Sequence, residues 1–134
     1  LPKDVPEAVV QMGIYTKDEM QSAVLALTAM GFLGSSMTRY SAAEMAAQVE
    51  AELLAASPLA TFGYEIDLVR AHGDLAKKGC GFLVVEAPTE VLAAQVADLV
   101  HTIKPATAQH YGRFMIENLT EAAPGRMGAA EAGV

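Results

Sequence analysis

Val9-Val10-Gln11-Met12-Gly13-Ile14-Tyr15, a helical run from Lys17 to Met30, and Ser36-Met37-Thr38-Arg39-Tyr40 make a strand–helix–strand unit near the start of the chain. The same order returns later. Gly81-Phe82-Leu83-Val84-Val85-Glu86-Ala87 is followed by a helical run from Glu90 to Lys104 and then by Thr107-Ala108-Gln109-His110-Tyr111. Two such units in one short chain fit a ferredoxin-like split βαβ repeat, so the expected class is α+β: a four-stranded antiparallel sheet with two helices on one face. The right-handed crossover rule supports each βαβ half separately. Between the halves, Ser41 to Gly79 is expected to form an inserted helical segment. It would pack over the open face of the sheet or against another subunit.

Local signals set the element ends. Thr16 and Glu19 have capping-box spacing, as do Ser41 and Glu44. Met20, Ala23, Val24, Leu27 and Met30 fall on one helical face, and Gly31 follows where a left-handed residue would close the helix. Met45, Val49 and Leu53 recur every four residues in an Ala-rich helix that Ser57-Pro58 should end. A third helix is expected from about Phe62 to Lys78, with Tyr64, Leu68, Ala71 and Leu75 on one side, Gly73 as a weak point and Gly79 closing it. Leu92, Val96, Leu99, Val100 and Ile103 form the stripe of the last helix, which Lys104-Pro105 should stop. Phe82 to Val85 is continuously apolar, as a strand covered on both faces would be. The last strand is expected to run long, from Thr107 to Leu119, with Gly112 as a bulge or bend. Residues 1–124 read as one domain, and Gly125 to Val134 as a disordered tail.

Composition narrows the functions. At 134 residues the chain is of single-domain size, with 52% hydrophobic and 19% charged residues, unlike a disordered protein. A net charge of −7 argues against nucleic acid and anionic membranes as partners. No apolar run reaches the ~20 residues a bilayer span needs. Cys80 is the single cysteine, which rules out an intrachain disulfide and suggests a reducing, cytoplasmic setting. Leu1 stands where an initiator methionine would, so a chain trimmed or processed upstream is expected.

Val10 to Glu19, then Ala23-Val24-Leu25-Ala26-Leu27 and Met30-Gly31-Phe32, resemble the opening of the heat-induced general stress protein domain. Tyr64-Glu65 through Gly79-Cys80-Gly81-Phe82-Leu83-Val84-Val85 is similar to that family's second half, where a helix ends at glycine and a valine-rich strand follows. The resemblance implies a small bacterial domain linked to stress, without an assigned reaction or catalytic residues to transfer. Acidic residues in the middle of this chain weigh against a membrane-associated role.

Chemical motifs are sparse. His72, His101 and His110 sit on different elements, and His101 with Asp98 has helix spacing that an exposed face also shows, so no metal site is assigned. Cys80 precedes an apolar strand, where a thiol behaves as a small hydrophobe. Gly31-Phe32-Leu33-Gly34-Ser35-Ser36 follows a helix, whereas a phosphate loop follows a strand, so it reads as a helix stop and turn. The seven methionines read as packing. The best polar constellation is Arg39 and Tyr40 on the second strand with His110, Tyr111 and Arg113 on the fourth, two edge strands that need not meet in one monomer. An arginine beside an aromatic ring can hold an anionic or planar ligand; the same alternation is what an edge strand shows to solvent.

Three functions therefore stay open. One is a non-enzymatic, stress-associated domain acting through self-association, as a homodimer, or through a protein partner. Another is a sensor with a small anionic ligand at a subunit interface near Arg39 or Arg113. The last is a small dimeric ferredoxin-like enzyme using His110 or His72 under the inserted helices. No catalytic residue and no cofactor is assigned.

Overall fold

Helix starts and stops follow the side chains that satisfy end groups. A computed structural model describes residues 8–55, 64–112 and 115–120. The first strand, β1 (Val9–Ile14), leads to Thr16, whose Oγ1 accepts from Glu19 N–H at 3.0 Å and opens α1 (Lys17–Ala29). That helix ends as a Schellman motif: Phe32 N–H donates to Leu27 O and Gly31 N–H to Thr28 O, with Gly31 at φ +103°. After a 3₁₀ turn at Gly34–Ser36 comes β2 (Met37–Tyr40). Ser41 and Glu44 then bond reciprocally, Ser41 N–H to Glu44 Oε1 at 2.8 Å and Glu44 N–H to Ser41 Oγ at 3.0 Å, and open α2 (Ala42–Ala55). The next helix, α3 (Tyr64–Lys77), closes with the same Schellman pair: Cys80 N–H donates to Leu75 O and Gly79 N–H to Ala76 O, with Gly79 at φ +96°. There follow β3 (Gly81–Glu86), α4 (Glu90–Ile103, capped by Thr89 Oγ1), β4 (Thr107–Tyr111) and β5 (Ile116–Asn118).

Nothing crowds a Cβ at Gly31 or Gly79, so only the left-handed backbone favours glycine there. Gly31→Ala and Gly79→Ala should each lower unfolding free energy by about 1 kcal/mol. Urea titration checks this, and a neutral result at both positions would remove the backbone explanation.

The strands form one antiparallel sheet in the order β2-β3-β1-β4-β5, so among the described residues the protein is α+β with five strands and four helices. The long fourth strand expected from Thr107 to Leu119 is corrected to a hairpin. Gly112 N–H donates to Met115 O, the chain reverses, and Tyr111 pairs with Ile116 and Gln109 with Asn118. The extra strand covers β4, which is therefore internal rather than an edge.

Alternation along the strands gives the sheet two faces. Val10, Met12 and Ile14 with Leu83, Val85 and Ala108 face α1 and α4, meeting Ala23, Leu27, Val96 and Val100. On the other face, Phe82 packs with Met45, Val49 and Ala76 of α2 and α3, and with Cys80. The insert thus lies on the sheet face opposite α1 and α4. Leu119, just beyond β5, packs against the first core. On α3 the buried set is Ile66, Leu68, His72, Gly73 and Ala76, while Ala71, expected on the inner stripe, is exposed. Gly73 does not interrupt the helix; it lies against Val49. The expected tail, 125–134, lies outside the described residues, as do Phe62 and Pro58.

Candidate functional site: a buried carboxamide–imidazole relay

His72 and Gln109 are the buried polar side chains among the described residues, 4% and 1% exposed. Their position follows from register. Gln11 on β1 pairs with Gln109 on β4, so both carboxamides project from the middle of the sheet toward the face that α3 covers. His72, four residues after Leu68 on α3, comes down between them.

The bonding has a direction. Gln11 Nε2, a donor, lies 3.2 Å from His72 Nδ1, which accepts. His72 Nε2 carries the proton and donates to Gln109 Oε1 at 2.9 Å. Gln109 Nε2 in turn donates to Thr107 Oγ1 at 2.7 Å. The imidazole is neutral, with both ring nitrogens engaged by amides. Burial pulls its pKa below the ordinary 6.5, against a smaller upward pull from the bond to Gln109. The Phe82 ring meets the imidazole edge-on, with centroids 5.2 Å apart and planes at 64°.

Beneath the same helices lies Cys80, fully buried, its Sγ donating weakly to Gly81 O at 3.5 Å. Burial raises the thiol's pKa from 9.0 to about 11, so at neutral pH it is neither thiolate nor nucleophile. Thiol reagents at neutral pH should therefore label Cys80 slowly in the native protein and readily in urea. Fast native labelling would place the thiol at the surface. Cys80→Ser should cost stability, because it puts a hydroxyl into apolar surroundings.

The candidates read from sequence are dispersed. Arg39 is exposed on β2 and its Nη2 donates to Gln21 Oε1 at 3.3 Å. Tyr40, its neighbour, projects to the opposite face and packs against the α2–α3 core. His110 on β4 is half-buried, with Nδ1 3.6 Å from Glu117 Oε1, while Tyr111 is buried on the other face. Two strands separate β2 from β4, a gap of roughly 14 Å at about 4.8 Å per step, so the structure does not bring Arg39 and His110 together. Arg113 lies outside the described residues. Among the described residues no three His, Cys, Asp or Glu side chains converge as metal ligands. No helix among them is long and apolar enough to cross a membrane.

Sequence reasoning considered His72 under the insert but missed Gln11 and Gln109. The available signal was a glutamine in the middle of each of two strands, Gln11 between Val10 and Met12 and Gln109 between Ala108 and His110. Compared with family models, curated proteins and solved structures, the chain finds no match.

Proposed function

We propose that this protein is a non-enzymatic interaction domain that works by self-association or by holding a protein partner. The observation that carries the proposal is a contrast between a closed polar centre and an open apolar rim. The imidazole has both nitrogens occupied and the thiol stays protonated, which leaves neither group ready as base or nucleophile. Meanwhile Leu33, Leu54, Val91 and Met115 are each 67% to 83% exposed.

These four side chains belong to one end of the sheet. Leu33 precedes β2, Val91 opens the helix after β3, and Met115 lies in the turn between β4 and β5. Leu54 ends α2, which starts beside the far end of β2 and runs about 20 Å back. Scattered exposed leucines are ordinary, whereas several on one rim suit an association surface.

A ferredoxin-like reading draws support from the β2-β3-β1-β4 order and from the two helices sharing one face, with β5 and the α2–α3 pair as additions. The stress-domain resemblance, a bacterial origin and a cytoplasmic setting belong to the same proposal. They rest on the sequence likeness and on the lone cysteine. Homodimerisation through an uncovered sheet face loses its premise, because α2 and α3 lie on that face; the apolar rim takes its place.

Sedimentation equilibrium of wild type and of a Leu33→Ser/Leu54→Ser variant tests the proposal. A concentration-dependent mass above 14.1 kDa that the variant loses supports self-association. A monomer that captures a partner only when the rim is intact supports the second form. A stable monomer whose partners are indifferent to the variant overturns both.

A further inference from the structure

The relay around His72 is also a polar tie between α3 and the sheet, and it tolerates a single protonation state. We infer that His72 is an acid-sensitive latch, whose protonation frees the α2–α3 pair from the sheet while the α1–α4 side stays folded. The inference rests on hydrogen-bond polarity. A second ring proton would sit on Nδ1, and the group facing it at 3.2 Å is the Gln11 amide nitrogen, itself a donor. Reversing that amide would recover one bond yet leave a buried cation. Gln109 cannot compensate, because its oxygen already serves Nε2 and its nitrogen is held by Thr107.

No buried carboxylate stands ready among the described residues. From the sheet, the titratable groups on this face are Tyr40 on β2, Tyr111 on β4 and Glu86 at the exposed end of β3, with Cys80 just ahead of that strand. On α2, Glu44 and Glu50 are exposed and Glu52 is half-buried, while Met45 and Val49 point inward. On α3 itself the charged residues Glu65, Asp67, Arg70, Asp74 and Lys77 are all exposed. An imidazolium here would therefore be dehydrated and without a buried counter-charge, which is unfavourable.

The geometry also says what moves. Gly73 touches Val49, so α2 and α3 are packed on each other and would leave as a pair. Their connections to the sheet run through the Ser41 cap and the left-handed Gly79. The α1–α4 core lies across the sheet and shares no side chain with the relay.

Hydrogen exchange corrected for intrinsic rates, from about pH 7.5 to about pH 5.5, tests the latch. One proton taken up only in the open state, with the ordinary value of 6.5, makes opening about tenfold more frequent over that range. Wild-type α2 and α3 should lose protection by that factor while α1, α4 and β1 hold theirs. In Gln11→Glu a carboxylate faces Nδ1 and holds the imidazolium, so the acid loss should vanish; His72→Gln should show none. Should His72→Gln fail to fold, wild type and Gln11→Glu decide the matter. Unchanged wild-type protection, equal loss in every element, or a Gln11→Glu profile like wild type would each overturn the latch.

Discussion

Phe82→Ala should lower the unfolding free energy by about 3–5 kcal/mol, the range for truncating a fully buried aromatic ring. Phe82 is wholly buried on β3, an internal strand that pairs with both β2 and β1 of the first half of the fold. Its ring belongs to the core shared by Met45, Val49 and Ala76, and its edge supports the His72 imidazole. A Cβ built at Gly13 would stand 3.1 Å from Phe82 Cε2 and 3.1 Å from Cys80 Sγ, which shows how closely the first strand approaches that ring. Removing it leaves a cavity between sheet and insert that rigid strands cannot close. For a domain whose total stability is about 5–15 kcal/mol, such a loss is a large share. Val84→Ala, on the same face but half-buried, should cost far less, about 1 kcal/mol. Urea titration of both variants gives the comparison. Equal small losses would mean that α2 and α3 do not rest on this face.

The parts of the fold legible in the sequence are those written in local chemistry. Capping pairs at Thr16 and Ser41, and glycines at 31 and 79, bound their elements where the hydrogen bonds now lie. Phe82 to Val85 read as a strand covered on both sides, and Phe82 does face the insert while Leu83 and Val85 face α1 and α4. The hairpin escaped because Gly112-Arg113-Phe114-Met115 holds a single turn-forming residue, and apolar residues continue beyond it. Only pairing with β4 reveals the reversal.

The relay was harder to read for a different reason. Its contacts span 61 residues from Gln11 to His72 and 37 from His72 to Gln109. Glutamine is neutral, matches no catalytic motif and is common on surfaces, so neither carboxamide drew notice. What distinguishes them is the register of β1 with β4, a tertiary fact. Arg39, by contrast, was conspicuous by type, yet it lies on an edge strand and bonds Gln21 on the surface.

Gly73→Ala should destabilise the protein by about 1–3 kcal/mol, although alanine is the better helix former by about 1 kcal/mol. On propensity alone Gly73 is a flaw in α3, and the substitution should help. Packing reverses the sign. A Cβ at this position would stand 2.8 Å from Val49 Cγ1, nearer than side-chain carbons tolerate. Val49 is β-branched and nearly rigid about χ1 in a helix, so it cannot swing aside. It is also buried against Phe82 and its neighbours, so α2 cannot shift without opening that core. The added methyl must then separate the two helices or lift α3 from the sheet, which would stretch the His72 bonds to Gln11 and Gln109. Val49→Ala in the same chain removes the obstructing methyls, and the double variant should be less destabilised than the two single losses added together. A double-mutant cycle in urea measures that coupling, expected at about 1 kcal/mol or more. Additive losses would show that residues 49 and 73 are not in contact. A Gly73→Ala variant more stable than wild type would restore the propensity explanation and remove the close packing of α2 on α3.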